Sequence, residues 1–222
     1  MEFDGVLFWI GHASFYIKQD KQTIFIDPFK ISWGIKEHAD IVLITHAHFD
    51  HCNKAEIKKV MKDDDVKIIT APMCFKENEF KDMTIAKPGF KTKINDIKIE
   101  AVSAYNTKPE RLTFHPKANN WVGYIIEVNG IRIYHAGDTD FIPEMKTLKN
   151  LNISLLPAGG TYVMDADEAI EAGHALDSKF ITPVHYKNLL GKDGSKALEE
   201  KFKKELHNAL IMKEVQTPTY SF

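Results

Sequence analysis

Thr45-His46-Ala47-His48-Phe49-Asp50-His51 gathers four side chains of metal-ligand type into seven positions, directly after the apolar run Ile41-Val42-Leu43-Ile44. An uninterrupted, mostly β-branched run of this length reads as a strand buried on both faces. His46 and His48 stand two apart at its end, so in extended backbone their rings project to one side, while Asp50 and His51 fall where the chain turns. Asn53-Lys54-Ala55-Glu56 has capping-box spacing, and Ile57, Val60 and Met61 follow at helical intervals, which predicts a helix a few residues beyond His51. Imidazole and carboxylate suit zinc, manganese or iron, and two such cations about 3.5–4 Å apart lower the pKa of a shared water from 15.7 toward about 7. The segment thus points to a strand end that activates water. A closed zinc site that only braces the fold would favour cysteine ligands.

Outward from this segment the chain is rich in short strands. Val6 to Trp9, Ser14 to Ile17 and Thr23 to Ile26 read as a meander, and Val66 to Ile69, Ile97 to Ala101 and Trp121 to Val128 as further strands. The last of these pairs with Ile131 to Tyr134 through Asn129-Gly130, a strong tight-hairpin signal. Ile153 to Leu156 and Lys179 to Thr182 complete the set, with helices predicted over Asp165 to Leu176 and Ser195 to His207. No internal repeat of fixed short period and no Pro/Gly/Ser-rich linker divides residues 1–222, so one α/β (α+β) domain, sheets inside and helices outside, is the economical reading. The longest stretch without periodicity, Asn106 to Asn120, carries Lys108, Arg111, His115 and Lys117, a basic loop that would suit an anionic substrate or lie solvated on the surface.

Composition narrows the function. The 222 residues are 44% hydrophobic and 11% aromatic, enough to bury a full core. The opening Met1-Glu2-Phe3-Asp4-Gly5 is acidic where a secretory signal needs base, and no apolar run approaches the roughly 18 residues of a membrane span, so a cytoplasmic enzyme is expected. Lys plus Arg total 29 against 31 acids, for a net charge of -2. That lacks the basic excess of a dedicated nucleic-acid binder. Cys52 and Cys74 lack a C-x-x-C spacing and read as plain thiols.

Thr45-His46-Ala47-His48-Phe49-Asp50-His51 after a buried strand resembles the metal-binding signature of the metallo-β-lactamase superfamily. Tyr134-His135-Ala136-Gly137-Asp138-Thr139-Asp140 resembles its G-D-T element, and Pro183-Val184-His185-Tyr186 the segment that supplies its last histidine. Trp9-Ile10-Gly11-His12-Ala13-Ser14-Phe15 and Ile26-Asp27-Pro28 resemble the opening of the branch that includes ascorbate-6-phosphate lactonase and uncharacterised metal-dependent hydrolases. The resemblance spans nearly the whole chain and implies a four-layer αββα sandwich with a binuclear centre. His46 and His48 would bind one metal, Asp50, His51 and His185 the other, and Asp138 would bridge both. Relatives have a third histidine for the first metal after the strand matching Ile97 to Val102, whereas this chain reads Ala104-Tyr105-Asn106-Thr107. Either Asn106 takes that place or His115 reaches back to it, and imidazole is much the better ligand.

Of the other histidines, His12 lies in a small-residue turn and reads either as a substrate-contacting or proton-transferring group or as a buried hydrogen-bonded histidine. His135 shares strand parity with Ile131 and Ile133 and reads as a core or ligand-supporting histidine; His38, His174 and His207 read as structural or solvated. Asp27 is placed to orient a ligand imidazole or to end its strand. Asp63-Asp64-Asp65 reads as a solvated turn, and Gly159-Gly160 as a point of close backbone approach.

The function expected is hydrolysis of a small, anionic ester, lactone or phosphoester by a metal-bridging hydroxide, with two divalent ions, zinc first and manganese or iron as alternatives. Asp50 would help orient the nucleophile. A phosphodiesterase acting on nucleic acid is the alternative, for which a chain without a basic excess has little room. A diiron oxygen reductase would carry a glutamate at His48 and a flavin domain, and a non-catalytic metal-binding module is a third class. Association with copies of itself is left open.

Overall fold

The structure, a computed structural model, describes residues 6–32 and 34–215, so the acidic opening Met1 to Gly5 lies outside the described residues. The chain separates into two compact units, one running to Ile85 and resumed from Lys213, the other from Ala86 to Met212.

The first unit is a six-stranded sheet, β1 (Leu7–Gly11), β2 (Ser14–Gln19), β3 (Gln22–Ile26), β4 (Ile41–Ile44), β5 (Lys67–Thr70) and β6 (Asp82–Ile85), ordered as in the chain. β1, β2 and β3 form an antiparallel meander, and β3 through β6 run parallel. Parallel neighbours need a crossover, and α1 (Lys54–Val60) is the one between β4 and β5. It lays Ile57 and Val60, both fully buried, on a cluster with Tyr16, Phe25, Val42, Ile44 and Ile68. Each such side chain contributes about 1.5–3 kcal/mol of burial. Ile17, Ile24, Ile26 and Leu43, of opposite parity, are buried too, which is why β3 and β4 read as unbroken apolar runs. Asn53 caps α1 by accepting from the N–H groups of Ala55 and Glu56, but the capping box is only half made. Glu56 turns away, accepting instead from Ile31 N–H and Lys59.

The second unit holds β7 (Lys91–Ile94), β8 (Ile97–Ser103), β9 (Val122–Val128), β10 (Ile131–His135), β11 (Leu151–Pro157) and β12 (Ser178–Val184), again neighbours in chain order. β7 to β10 are antiparallel and β10 to β12 parallel. Both units thus repeat one plan, a meander followed by parallel strands, which no short-period repeat in the sequence announces. Asn129 and Gly130 close the β9–β10 hairpin with φ of 50° and 76°, as a type I′ turn needs. α2 (Ala166–Ala175) starts at a full capping box, Asp165 with Glu168. α3 (Lys187–Glu205) begins earlier than the predicted Ser195, because a first turn follows β12 directly and is separated from the rest by Gly191, at φ 64° and ψ -171°. The sequence reading also missed β6 and β7. They are edge strands with exposed, Lys- and Asp-bearing faces, and charge replaces the apolar alternation that marks a strand.

Two six-stranded sheets with few helices are the α/β class expected. No helix among the described residues is long and apolar enough to cross a membrane.

Candidate metal centre

In the first unit the centre grows from the carboxyl ends of two parallel neighbours, where open α/β sheets place their ligands. The β3–β4 register pairs Ile26 with Leu43, which puts Asp27 opposite Ile44 and within reach of Thr45, the next residue. Asp27 is fully buried and accepts the Thr45 N–H (2.8 Å), the Thr45 hydroxyl (2.6 Å) and His51 Nδ1–H (2.7 Å). The last contact orients the imidazole of His51 by Nδ1 and turns Nε2 toward Asp50. Thr45 does the same for His46: with its own hydrogen on Asp27, its oxygen accepts from His46 Nδ1 at 3.0 Å. No residue-type signal in the sequence distinguished Thr45 for this task.

His46 Nε2 then lies 3.1 Å from His48 Nδ1. Two ring nitrogens so close need a proton or a cation between them, and two ligands each about 2.0–2.1 Å from one zinc ion would be separated by a similar distance. Ligand atoms of Asp27, His46 and His51 all fall within 4.8 Å of one another. Asp50 Oδ2 lies 3.9 Å from His51 Nε2 and 2.9 Å from His12 Nε2. His12 is therefore a buried, hydrogen-bonded histidine whose partner is a candidate ligand, with its turn anchored by Trp9 Nε1–H donating to its carbonyl.

The second unit repeats the logic. Asp138 follows β10 and His185 follows β12, the two parallel strands flanking β11. Gly159, just past β11, lets the chains approach: a Cβ there would sit 2.3 Å from the His185 carbonyl oxygen. Asp138 Oδ2 faces two imidazole nitrogens, Nε2 of His185 at 3.2 Å and Nε2 of His115 at 3.4 Å. All three side chains are buried. Nitrogen and carboxylate donors converging on one point are the chemistry a divalent transition metal requires. Thr139 ties the exit of β8 to this place by exchanging hydrogen bonds with the backbone of Tyr105. His135 is buried and accepts from Gly137 N–H, the supporting place its strand parity predicts.

Three non-glycine residues of the candidate centre hold left-handed backbone, His12 (φ 54°), Asp27 (φ 45°) and His185 (φ 56°). That conformation costs about 1–2 kcal/mol per residue and persists where surrounding structure over-determines it, commonly at functional sites.

In the loop from Asn106 to Asn120, read as basic and either suited to an anionic substrate or solvated, the cations pair with acids of the same unit. Arg111 is buried and donates to Asp140 (2.7 Å) and Glu168 (2.8 Å). Lys108 pairs with Glu168, and Lys117 with Glu144 and the Tyr105 hydroxyl. Arg111 is the buried member of this set, and Lys108 and Lys117 form their pairs nearer the surface. Burial pushes the Asp140 carboxyl up, but the N–H groups of Thr107 and Lys108 and the Arg111 guanidinium pull it further down, below the ordinary carboxylate range. Asn106 Oδ1 lies 2.8 Å from His115 Nδ1. Asp140, Glu168 and Tyr162, which sequence reasoning did not single out for the site, are the partners of this loop. Asp63 to Asp65, His38, His174 and His207 are exposed, as read. Cys52 and Cys74 are free thiols, with Cys52 Sγ donating to the Cys74 carbonyl at 3.4 Å.

The family model described as Beta-lactamase superfamily domain matches residues 6–185. A UPF0173 metal-dependent hydrolase of Thermoplasma volcanium is 34% identical over 193 residues, covering 82% of this chain and 84% of the relative. Among solved structures, a Parabacteroides distasonis protein described as a metal-dependent hydrolase superposes with a TM-score of 0.79 at 33% identity, covering 94% of this chain and 93% of its own. Igni18, a metallo hydrolase of Ignicoccus hospitalis, gives 0.73 at 25% identity, covering 97% and 98%. The chain belongs to the metallo-β-lactamase superfamily, in the group of UPF0173 metal-dependent hydrolases.

Proposed function

We propose that this hydrolase cleaves a small ester, lactone or phosphoester, with His46, His48, Asp50, His51, His115, Asp138 and His185 holding two divalent cations, zinc ahead of manganese or iron. The observation that carries the reading is the crowding of donor atoms within each unit: His46 Nε2 on His48 Nδ1, and Asp138 Oδ2 between two Nε2 atoms. When bound, the cations supply hydroxide near neutral pH and polarise the scissile carbonyl or phosphoryl oxygen. Asp50 and His12 are the proton-handling pair: the carboxylate orients the attacking water, and His12, its Nε2 on Asp50, holds a proton close to the leaving group. The family model's span, which takes in strands of both units, supports reading the chain as one catalytic domain. With Lys108, Arg111 and Lys117 engaged by carboxylates, a negative charge on the substrate would be met by the cations rather than by this loop. The same engagement, with a net charge of -2, weighs against a nucleic-acid substrate. Assay of the protein as purified on lactone, carboxylester, phosphomonoester and phosphodiester panels tests the reading. Turnover of a small substrate that disappears in His46→Ala is expected; unchanged turnover in that variant overturns it.

A further inference from the structure

Asn106 cannot place either end of its amide freely. Its Nδ2 hydrogens go to Asp140 Oδ1 (3.1 Å) and to the Tyr162 carbonyl (3.2 Å), and both of these partners only accept. Asp140 is held as a carboxylate at this place by Arg111, at 2.7 Å, and by the N–H groups of Thr107 (2.7 Å) and Lys108 (3.0 Å). With the amino group so fixed, the opposite atom, Oδ1, is the one 2.8 Å from His115 Nδ1. A carbonyl oxygen has no hydrogen to give, so the hydrogen of this contact resides on Nδ1. The neutral ring then carries its lone pair on Nε2, the nitrogen 3.4 Å from Asp138.

We infer that Asn106 is not a metal ligand but the positioning residue that locks His115 in its Nδ1–H tautomer and presents Nε2 for coordination, with Arg111 and Asp140 fixing Asn106 in turn. The inference rests on the proposed role of His115 as a ligand. It gives the buried arginine of this loop a function at the metal centre instead of at the substrate, and it gives Asn106 the part toward His115 that Asp27 has toward His51. An amide that orients a ligand imidazole acts through geometry and tautomer, and loss of such a partner lowers metal affinity about 10–100-fold.

The test is the side-chain nitrogen spectrum of histidine-labelled, metal-free protein at pH 8, with the His115 signals identified by their loss in His115→Gln. The expected wild-type result is a protonated Nδ1 and an unprotonated Nε2. An Nε2–H tautomer there overturns the inference without recourse to any variant. In Asn106→Leu, of similar shape and with no acceptor, the tautomer should shift toward Nε2–H and zinc affinity, measured by chelator competition, should fall about 10–100-fold. Wild-type tautomer and affinity in a folded Asn106→Leu protein overturn it as well. Zinc affinity of His115→Ala tests the underlying reading separately: if it equals wild type, the ligand role of His115 fails, whatever the tautomer.

Discussion

Arg111→Met removes a guanidinium that is buried against two carboxylates, Asp140 at 2.7 Å and Glu168 at 2.8 Å. Methionine fills much of the space but leaves like charges facing each other. Breaking a buried pair by deleting one partner costs about 3–5 kcal/mol. Glu168 keeps Lys108 and some solvent access, so the low end, about 3 kcal/mol, applies. At about 2–4 °C per kcal/mol for a protein of this size, Tm should fall by about 6–12 °C in a calorimetric scan at pH 7. The pH dependence carries a sign. Burial pushes both carboxyls up, but hydrogen bonds and the neighbouring cations pull them further down, so both sit below the ordinary range when folded. A depressed carboxylate contributes stability that is complete above its unfolded pKa, about 4, and is lost as pH falls through the folded value. In the variant the Arg111 share of this contribution is gone and repulsion takes its place, while the N–H groups of Thr107 and Lys108 still hold Asp140 and Lys108 still pairs with Glu168, so the deficit should be largest at neutral pH and shrink below about pH 4, where protonation relieves the pair. A deficit under about 0.5 kcal/mol, or one equal at pH 4 and pH 7, would refute the buried-charge argument.

Asp27→Ala removes the acceptor of His51 Nδ1 and of Thr45 N–H; zinc affinity by chelator competition should fall about 10–100-fold, with stability down about 1–3 kcal/mol. Gly159→Ala sets a methyl 2.3 Å from the His185 carbonyl oxygen and 2.4 Å from a Leu189 methyl, so denaturant melts should show a loss of about 1–3 kcal/mol and bound zinc should fall as His185 shifts. Ile57→Ala opens a void beneath α1 and should cost about 2–5 kcal/mol in the same melts.

The legible parts of this protein are those where one residue type has one physical use. Asn129-Gly130 announced its hairpin because both positions need positive φ. Ile41 to Ile44 announced a strand buried on both faces, and the helix expected from Asp165 does start there, at a reciprocal capping box with Glu168 that the structure shows. The metal-type residues at His46, His48, Asp50 and His51 followed from strand parity and the turn after it. Other parts have sequences with two uses. Glu56 fits a capping box, yet Ile31 N–H is the group it reaches. Arg111 and Lys108 look like substrate-binding cations in sequence, because the carboxylates that neutralise them, Asp140 and Glu168, are 29 and 60 residues away along the chain. Asn106 offered itself as a weak ligand, and only the positions of Asp140 and Tyr162 reveal which end of its amide meets His115. β6 and β7 stayed hidden because edge strands keep charge where core strands keep apolar residues.

Elemental analysis of the chain purified without added metal tests the central claim most directly. We predict close to two equivalents of a divalent transition metal per chain, falling by at least half in Asp138→Ala, whose carboxylate faces both His115 and His185. A folded wild-type protein that carries no stoichiometric transition metal and takes up none from zinc buffers, or an Asp138→Ala variant with wild-type content, would contradict the account.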